Sequence, residues 1–199
     1  EVAYSRGDGV NPESGMWSLA DRSQEIARPG YYSVPVMRYG VKAEMTATSR
    51  VGYHRYTFPA SNESALVIDL QNGGCWDRLT EANITQESKT VISGWRFSQG
   101  WANNQKVYFV AEFSRPFDSF ELVGNKMYGR AAFSTKEGEQ IYVKVALSPV
   151  SIDSSALPNP SITFASSGIL SPARMRMTSP TDTLEVKTDF TAPSMKILV

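Results

Sequence analysis

The sequence has one cysteine, Cys75, and one histidine, His54, and these two scarcities exclude several kinds of protein. A single thiol cannot close an internal disulfide, nor can it build a cysteine-based structural zinc site. It leaves the compartment open. One imidazole cannot supply a multi-histidine zinc centre, and no partner can be named that would complete a Ser-His-Asp or Cys-His arrangement around it. Net charge is missing too: 20 Lys and Arg balance 20 Asp and Glu, so no field draws a polyanion, and nucleic acid is not an expected partner. No apolar run approaches the roughly 18 residues of a membrane span. The start, Glu1-Val2-Ala3-Tyr4-Ser5-Arg6, lacks a basic region followed by an apolar one and reads as mature or internal sequence. Asn72-Gly73-Gly74-Cys75 has neither the spacing nor the Lys of a phosphate-binding loop.

Also missing is a 3.6-residue apolar stripe; what the chain has instead is period-two alternation. In Val41 to Arg50, the residues Val41, Ala43, Met45 and Ala47 share one face, and Lys42, Glu44, Thr46 and Thr48 share the other. The first face is expected in a core and the second in water. Further strands are expected at Tyr31 to Met37, Tyr53 to Phe58, Ala65 to Leu70, Thr90 to Ser98, Gln105 to Ser114, Ser119 to Val123, Arg130 to Ser134 and Gln140 to Leu147. The unbroken apolar run Ala65-Leu66-Val67-Ile68 suits a strand covered on both sides. With 41% hydrophobic residues to fill a core, short strands separated by turns predict an all-β, antiparallel β-sandwich. Residues 1–24 read as an entry loop region and residues 25–153 as the sandwich. Residues 154–199, interrupted by Pro158, Pro160, Pro172, Pro180 and Pro193, read as a Ser/Pro-rich tail or edge segment.

The candidate chemistry lies in aromatic and amide groups. A flat indole can pack on the C–H face of a sugar ring while Asn, Gln and Arg bond its hydroxyls, and Ser93 to Gln105 holds both kinds of group. Trp101 sits in a loop, where a rigid scaffold commonly carries function. Trp76 also lies near a Gly-containing loop. Trp95 shares a strand face with Val91 and Phe97, which favours a place in the core. The carboxylates Glu44, Asp69, Asp77, Glu112 and Glu121 could in principle form a glycosidase pair, but charged residues beside Lys or Thr on alternating strands read as surface or structural. His54 and Arg55 must occupy opposite faces of one strand. For His54 a structural imidazole is favoured over a catalytic one, and Cys75 reads as a small buried residue.

Two blocks carry a resemblance. Glu25-Ile26-Ala27-Arg28-Pro29-Gly30-Tyr31-Tyr32-Ser33-Val34 is followed by Tyr39-Gly40-Val41-Lys42-Ala43-Glu44-Met45-Thr46-Ala47-Thr48-Ser49-Arg50-Val51-Gly52-Tyr53-His54-Arg55-Tyr56-Thr57-Phe58-Pro59. Ser93-Gly94-Trp95-Arg96-Phe97-Ser98 and Gly100-Trp101-Ala102 then lead into Gln105-Lys106-Val107-Tyr108-Phe109-Val110-Ala111-Glu112-Phe113-Ser114-Arg115-Pro116-Phe117. Over residues 25–153 the chain resembles the N-terminal domain of glycoside hydrolase family 92. The resemblance implies a supersandwich, or galactose-mutarotase-like, fold. It also implies mostly bacterial, exported exo-α-mannosidases, periplasmic, cell-surface or secreted, whose sandwich packs on an (α/α)6 catalytic domain.

By the same resemblance, hydrolysis is inverting and Ca2+-dependent, and both catalytic carboxylates come from the helical domain. This chain is then expected to hold no catalytic residue, no metal ligand and no cofactor of its own. Its implied partners are mannose-containing glycans and the helical domain. Its sugar-binding candidates are Trp101, Asn103, Asn104, Arg96, Trp95 and His54. The family's long pocket-lining segment upstream of Glu25 is not recognised here, and beyond Asp153 no helical connection follows, so a truncated or frameshifted product is expected. Two other readings stay open: a small glycosidase using strand carboxylates with His54, and a structural or protein-docking sandwich that binds no sugar.

Overall fold

The computed structural model describes residues 15–72, 77–153 and 196–198; Cys75, Trp76, residues 1–14 and residues 154–195 lie outside it. Among the described residues the strands in chain order are β1 (Ile26–Arg28), β2 (Tyr31–Val36), β3 (Val41–Ala47), β4 (Val51–Phe58), β5 (Ser61–Asp69), β6 (Arg78–Gln86), β7 (Val91–Gln99), β8 (Gln105–Phe113), β9 (Ser119–Val123), β10 (Tyr128–Thr135), β11 (Glu139–Ser148) and β12 (Lys196–Leu198). They form an eight-stranded sheet ordered β1-β2-β3-β4-β11-β8-β7-β6 and a four-stranded sheet ordered β12-β5-β10-β9. Neighbouring strands pair antiparallel, as the alternation predicts.

The core lies between the sheets. Val41 and Ala43 of β3, Tyr56 and Phe58 of β4, Ile141, Val143 and Val145 of β11, and Phe109, Ala111 and Phe113 of β8 meet Leu66, Ile68 and Leu70, with Ala131 and Phe133 of β10. Each large side chain sealed in this way contributes about 1.5–3 kcal/mol against exposure. The run in β5 is apolar throughout because both its faces are covered. Leu66 and Ile68 face the large sheet, and Val67 packs behind the small one with Met16 and Tyr128.

Three expectations need correction. The strand β6 was not foreseen: its residues are polar and mostly exposed, as an edge strand tolerates, and only Ile84 is buried. Trp95, with Val91 and Phe97, faces away from the core. The inner face of β7 instead carries Ile92, Gly94, Arg96 and Ser98, and the Phe109 ring fills the space over Gly94, where a Cβ would lie 2.8 Å from that ring. Finally, Glu44 lies on the outward face of β3 but is only 3% exposed. Arg55 covers it from β4 and Tyr31 from β2.

One end of the sandwich gathers several connections. There β5 ends, β6 begins beside the end of β7 (Arg78 opposite Gln99), and β7 turns into β8 (Ser98 opposite Gln105). In the small sheet, β9 ends and β10 begins at this same end, with Tyr128 opposite Asp69 and Val123.

Candidate functional site

The loop Gly100–Asn104 projects from that end. The Gly100 N–H donates to the Ala102 carbonyl at 3.0 Å and closes the loop on itself. Trp101, next in the chain, is 92% exposed, and Asn103 and Asn104 are exposed beside it. Three of the six sugar-binding candidates therefore share one surface.

The other three are elsewhere. Two-residue periodicity sends Arg96 inward while Trp95 and Phe97 point out, and Arg96 is only 4% exposed. Its Nε donates to the Leu70 carbonyl at 2.9 Å and its Nη1 to the Asp77 carboxylate. Its Nη2 is buried and meets no acceptor among the described residues. Burial pushes the Asp77 carboxyl up, but hydrogen bonds from Arg96 and Ser98 outweigh it and hold the group below its usual range. Trp95 stacks on Phe97 with ring centroids 4.4 Å apart, on the opposite side of the sheet from Arg96. Tyr108 meets Phe97 edge-on at 5.5 Å, and the Lys106 ammonium lies 5.1 Å from the Phe97 ring centre.

His54 is on the inner face of β4, half-buried, with Nδ1 2.8 Å from the Tyr56 hydroxyl. Burial lowers its pKa to about 4, so the ring is neutral at neutral pH. His54 pairs with Val143 of β11, which pairs with Phe113 near the far end of β8, whereas Arg96 pairs with Val107 near the start of β8. The imidazole is thus remote from the Trp101 loop.

Most of the strand carboxylates are committed. Glu44 is bonded by Arg55, Glu112 by Lys144 and Glu121 by Arg130. Asp69 accepts from the backbone N–H and side-chain amide of Asn72. Glu44 and His54 lie on opposite faces of the large sheet. Among the described residues no three His, Cys, Asp or Glu side chains cluster as a metal site, and no helix is long and apolar enough to cross a membrane.

Sequence reasoning had not linked Asp77 and Gly100 to the site. Once Trp95 is placed outward, Arg96 must enter the interior and needs a carboxylate there. That inference was available only after the facing of β7 was known. Trp76 and Cys75 lie outside the described residues.

The model of the glycosyl hydrolase family 92 N-terminal domain matches residues 1–148. It takes in the stretch before Glu25 that the two sequence blocks left out. A GH92 α-mannosidase from Bacteroides thetaiotaomicron is 30% identical, with a TM-score of 0.74 over 78% of this chain and 24% of that one. Its complex with mannoimidazole gives the same TM-score, 0.74, over 23% of that chain. A GH92 inverting mannosidase from the same organism is 25% identical, with a TM-score of 0.58 over 70% of this chain and 20% of that one. The chain thus spans about a quarter of the length of the mannosidases it is similar to. No curated protein matches it. With the family's domain model covering most of its length and the sandwich shared with solved members, the chain belongs to glycosyl hydrolase family 92, as an N-terminal domain of that family.

Proposed function

We propose that this domain forms one wall of an α-mannoside pocket, with the Trp101 indole against the sugar ring and Asn103 and Asn104 bonding its hydroxyls. The observation that carries the reading is the near-complete exposure of Trp101 at the end of a rigid sandwich. Tryptophan is enriched at contact surfaces, and loops held by a folded scaffold commonly carry function. The names of the similar structures, α-mannosidase and inverting mannosidase, supply the sugar class.

Hydrolysis on this reading belongs to a helical (α/α)6 partner domain, and the chain alone turns over no mannoside. Calcium, which binds through six to eight oxygens, belongs to that partner as well. Among the described residues no three His, Cys, Asp or Glu side chains cluster, and no step here runs through a metal. Export to the periplasm, cell surface or medium is part of the same proposal.

Titration with mannose or α-mannobiose at millimolar concentration tests the binding. Tryptophan emission and the amide shifts of Gly100–Asn104 are expected to move, and Trp101→Ala to abolish the response. Unchanged spectra in the wild-type chain would overturn sugar binding and leave a structural or protein-docking sandwich. An aryl α-mannoside with calcium tests the second part: turnover lost in His54→Ala would mean that the chain is an enzyme by itself.

A further inference from the structure

We infer that the buried Arg96–Asp77 pair is a positioning device for the loop that carries Trp101; the inference rests on reading Trp101 as a sugar contact. An indole that is 92% exposed has almost no packing of its own to fix it. Its orientation must come through the backbone, and Gly100 supplies that backbone. Gly100 lies so close to Asp77 that a Cβ on it would sit 3.0 Å from the Asp77 Cβ and 3.1 Å from the Asp77 Cα. A side chain at this position would force Asp77 or the loop to give by a few tenths of an ångström.

Asp77 is itself held in place. Arg96 Nη1 and the Ser98 side chain bond its carboxylate, and Arg96 Nε anchors the guanidinium to the Leu70 carbonyl at 2.9 Å. One side chain on β7 therefore ties the end of β5 to the start of β6, and the β7–β8 loop rests on that tie.

The leftover donor argues for position over stability. Arg96 Nη2 is buried without an acceptor among the described residues, an arrangement that costs folding energy. Buried ion pairs can often be replaced by apolar residues of similar volume at no loss. A guanidinium kept under these conditions is explained by what it holds in register. Arg96 then acts through Asp77 and Gly100 on the presentation of Trp101 and does not touch the sugar.

The test uses the full chain and the Trp101 indole N–H resonance, assigned by its absence in Trp101→Phe. Gly100→Ala, which displaces the loop and Asp77 by a few tenths of an ångström, is expected to shift that resonance and weaken mannose binding about tenfold, as small misplacements of a binding group do. Asp77→Asn, which keeps the shape but not the charge, is expected to shift it in the same direction by less. Amide signals of β4 and β11 at their wild-type positions would show that the sandwich is intact, so a merely structural defect would be recognised. If both variants leave the indole resonance and the affinity unchanged, the positioning role is wrong. If the resonance moves while no form of the chain binds mannose, the positioning role stands and the sugar reading fails.

Discussion

Arg55–Glu44 and Arg96–Asp77 are both buried arginine–carboxylate pairs, yet they do different work. Glu44 and Arg55 sit directly opposite each other on neighbouring strands. Arg55 donates Nε at 2.7 Å and Nη2 at 2.6 Å to the two Glu44 oxygens, the Tyr31 hydroxyl adds a bond at 2.7 Å, and Lys42 Nζ stands at 3.4 Å. This clasp crosses β2, β3 and β4, which the backbone ladder already joins. Arg96 and Asp77 make a tie that no ladder makes: they join the carbonyl just past β5, in the small sheet, to β6 and β7 of the large sheet. One pair reinforces order already present, while the other creates it at the end where Trp101 projects.

The strongest way to break this comparison is to remove each arginine. Arg96→Ala is expected to cost about 4 kcal/mol in denaturant unfolding, because Asp77 stays buried with its main partner gone. Arg55→Ala is expected to cost about 2 kcal/mol, because Tyr31 and Lys42 still serve Glu44. The reverse order would refute the distinction.

Acid sharpens it next. Burial pushes the Glu44 carboxyl up, but the bonds from Arg55 and Tyr31 and the charges of Arg55 and Lys42 bring it down from 4.5 to about 2. A depressed carboxylate stabilises above its unfolded pKa and loses that stability as pH falls through the folded one. Between pH 4.5 and 2 the wild-type chain should therefore lose about 3 kcal/mol that Glu44→Gln does not.

His54 acts in a neighbouring window and belongs to neither pair. Burial drops its pKa from 6.5 to about 4, so the unfolded chain takes up a proton first. Stability is full above pH 6.5 and falls as the pH drops to 4. For a half-buried ring the loss is about 2 kcal/mol, and it should vanish in His54→Phe when unfolding is followed across that range. The smallest effect belongs to Trp101→Ala, expected to change stability by less than about 0.5 kcal/mol in the same unfolding experiment. A larger loss would mean that the indole serves the fold.

The strands were legible wherever alternation was clean. Ile141, Val143 and Val145 announce the inner face of β11, and Val41 and Ala43 that of β3. The polar β6 was not, because an edge strand need bury little. The outward turn of Trp95 was also hidden: aromatic residues on one side of β7 look like core until Phe109, on the neighbouring strand, is seen to fill the space over Gly94. Of the site, Trp101, Asn103 and Asn104 could be read from the sequence as one loop, while the burial of Arg96 followed only from the true facing of its strand.

The sequence by itself determined an antiparallel all-β fold, because side-chain alternation has a period of two residues and is visible within each strand. It also determined that Trp101 lies in a loop. Which carboxylate meets which arginine was decided by tertiary structure. Arg96 finds Asp77 from 19 positions away and the Leu70 carbonyl from 26, and such contacts exist only after the sheets have folded together and brought those segments to one end.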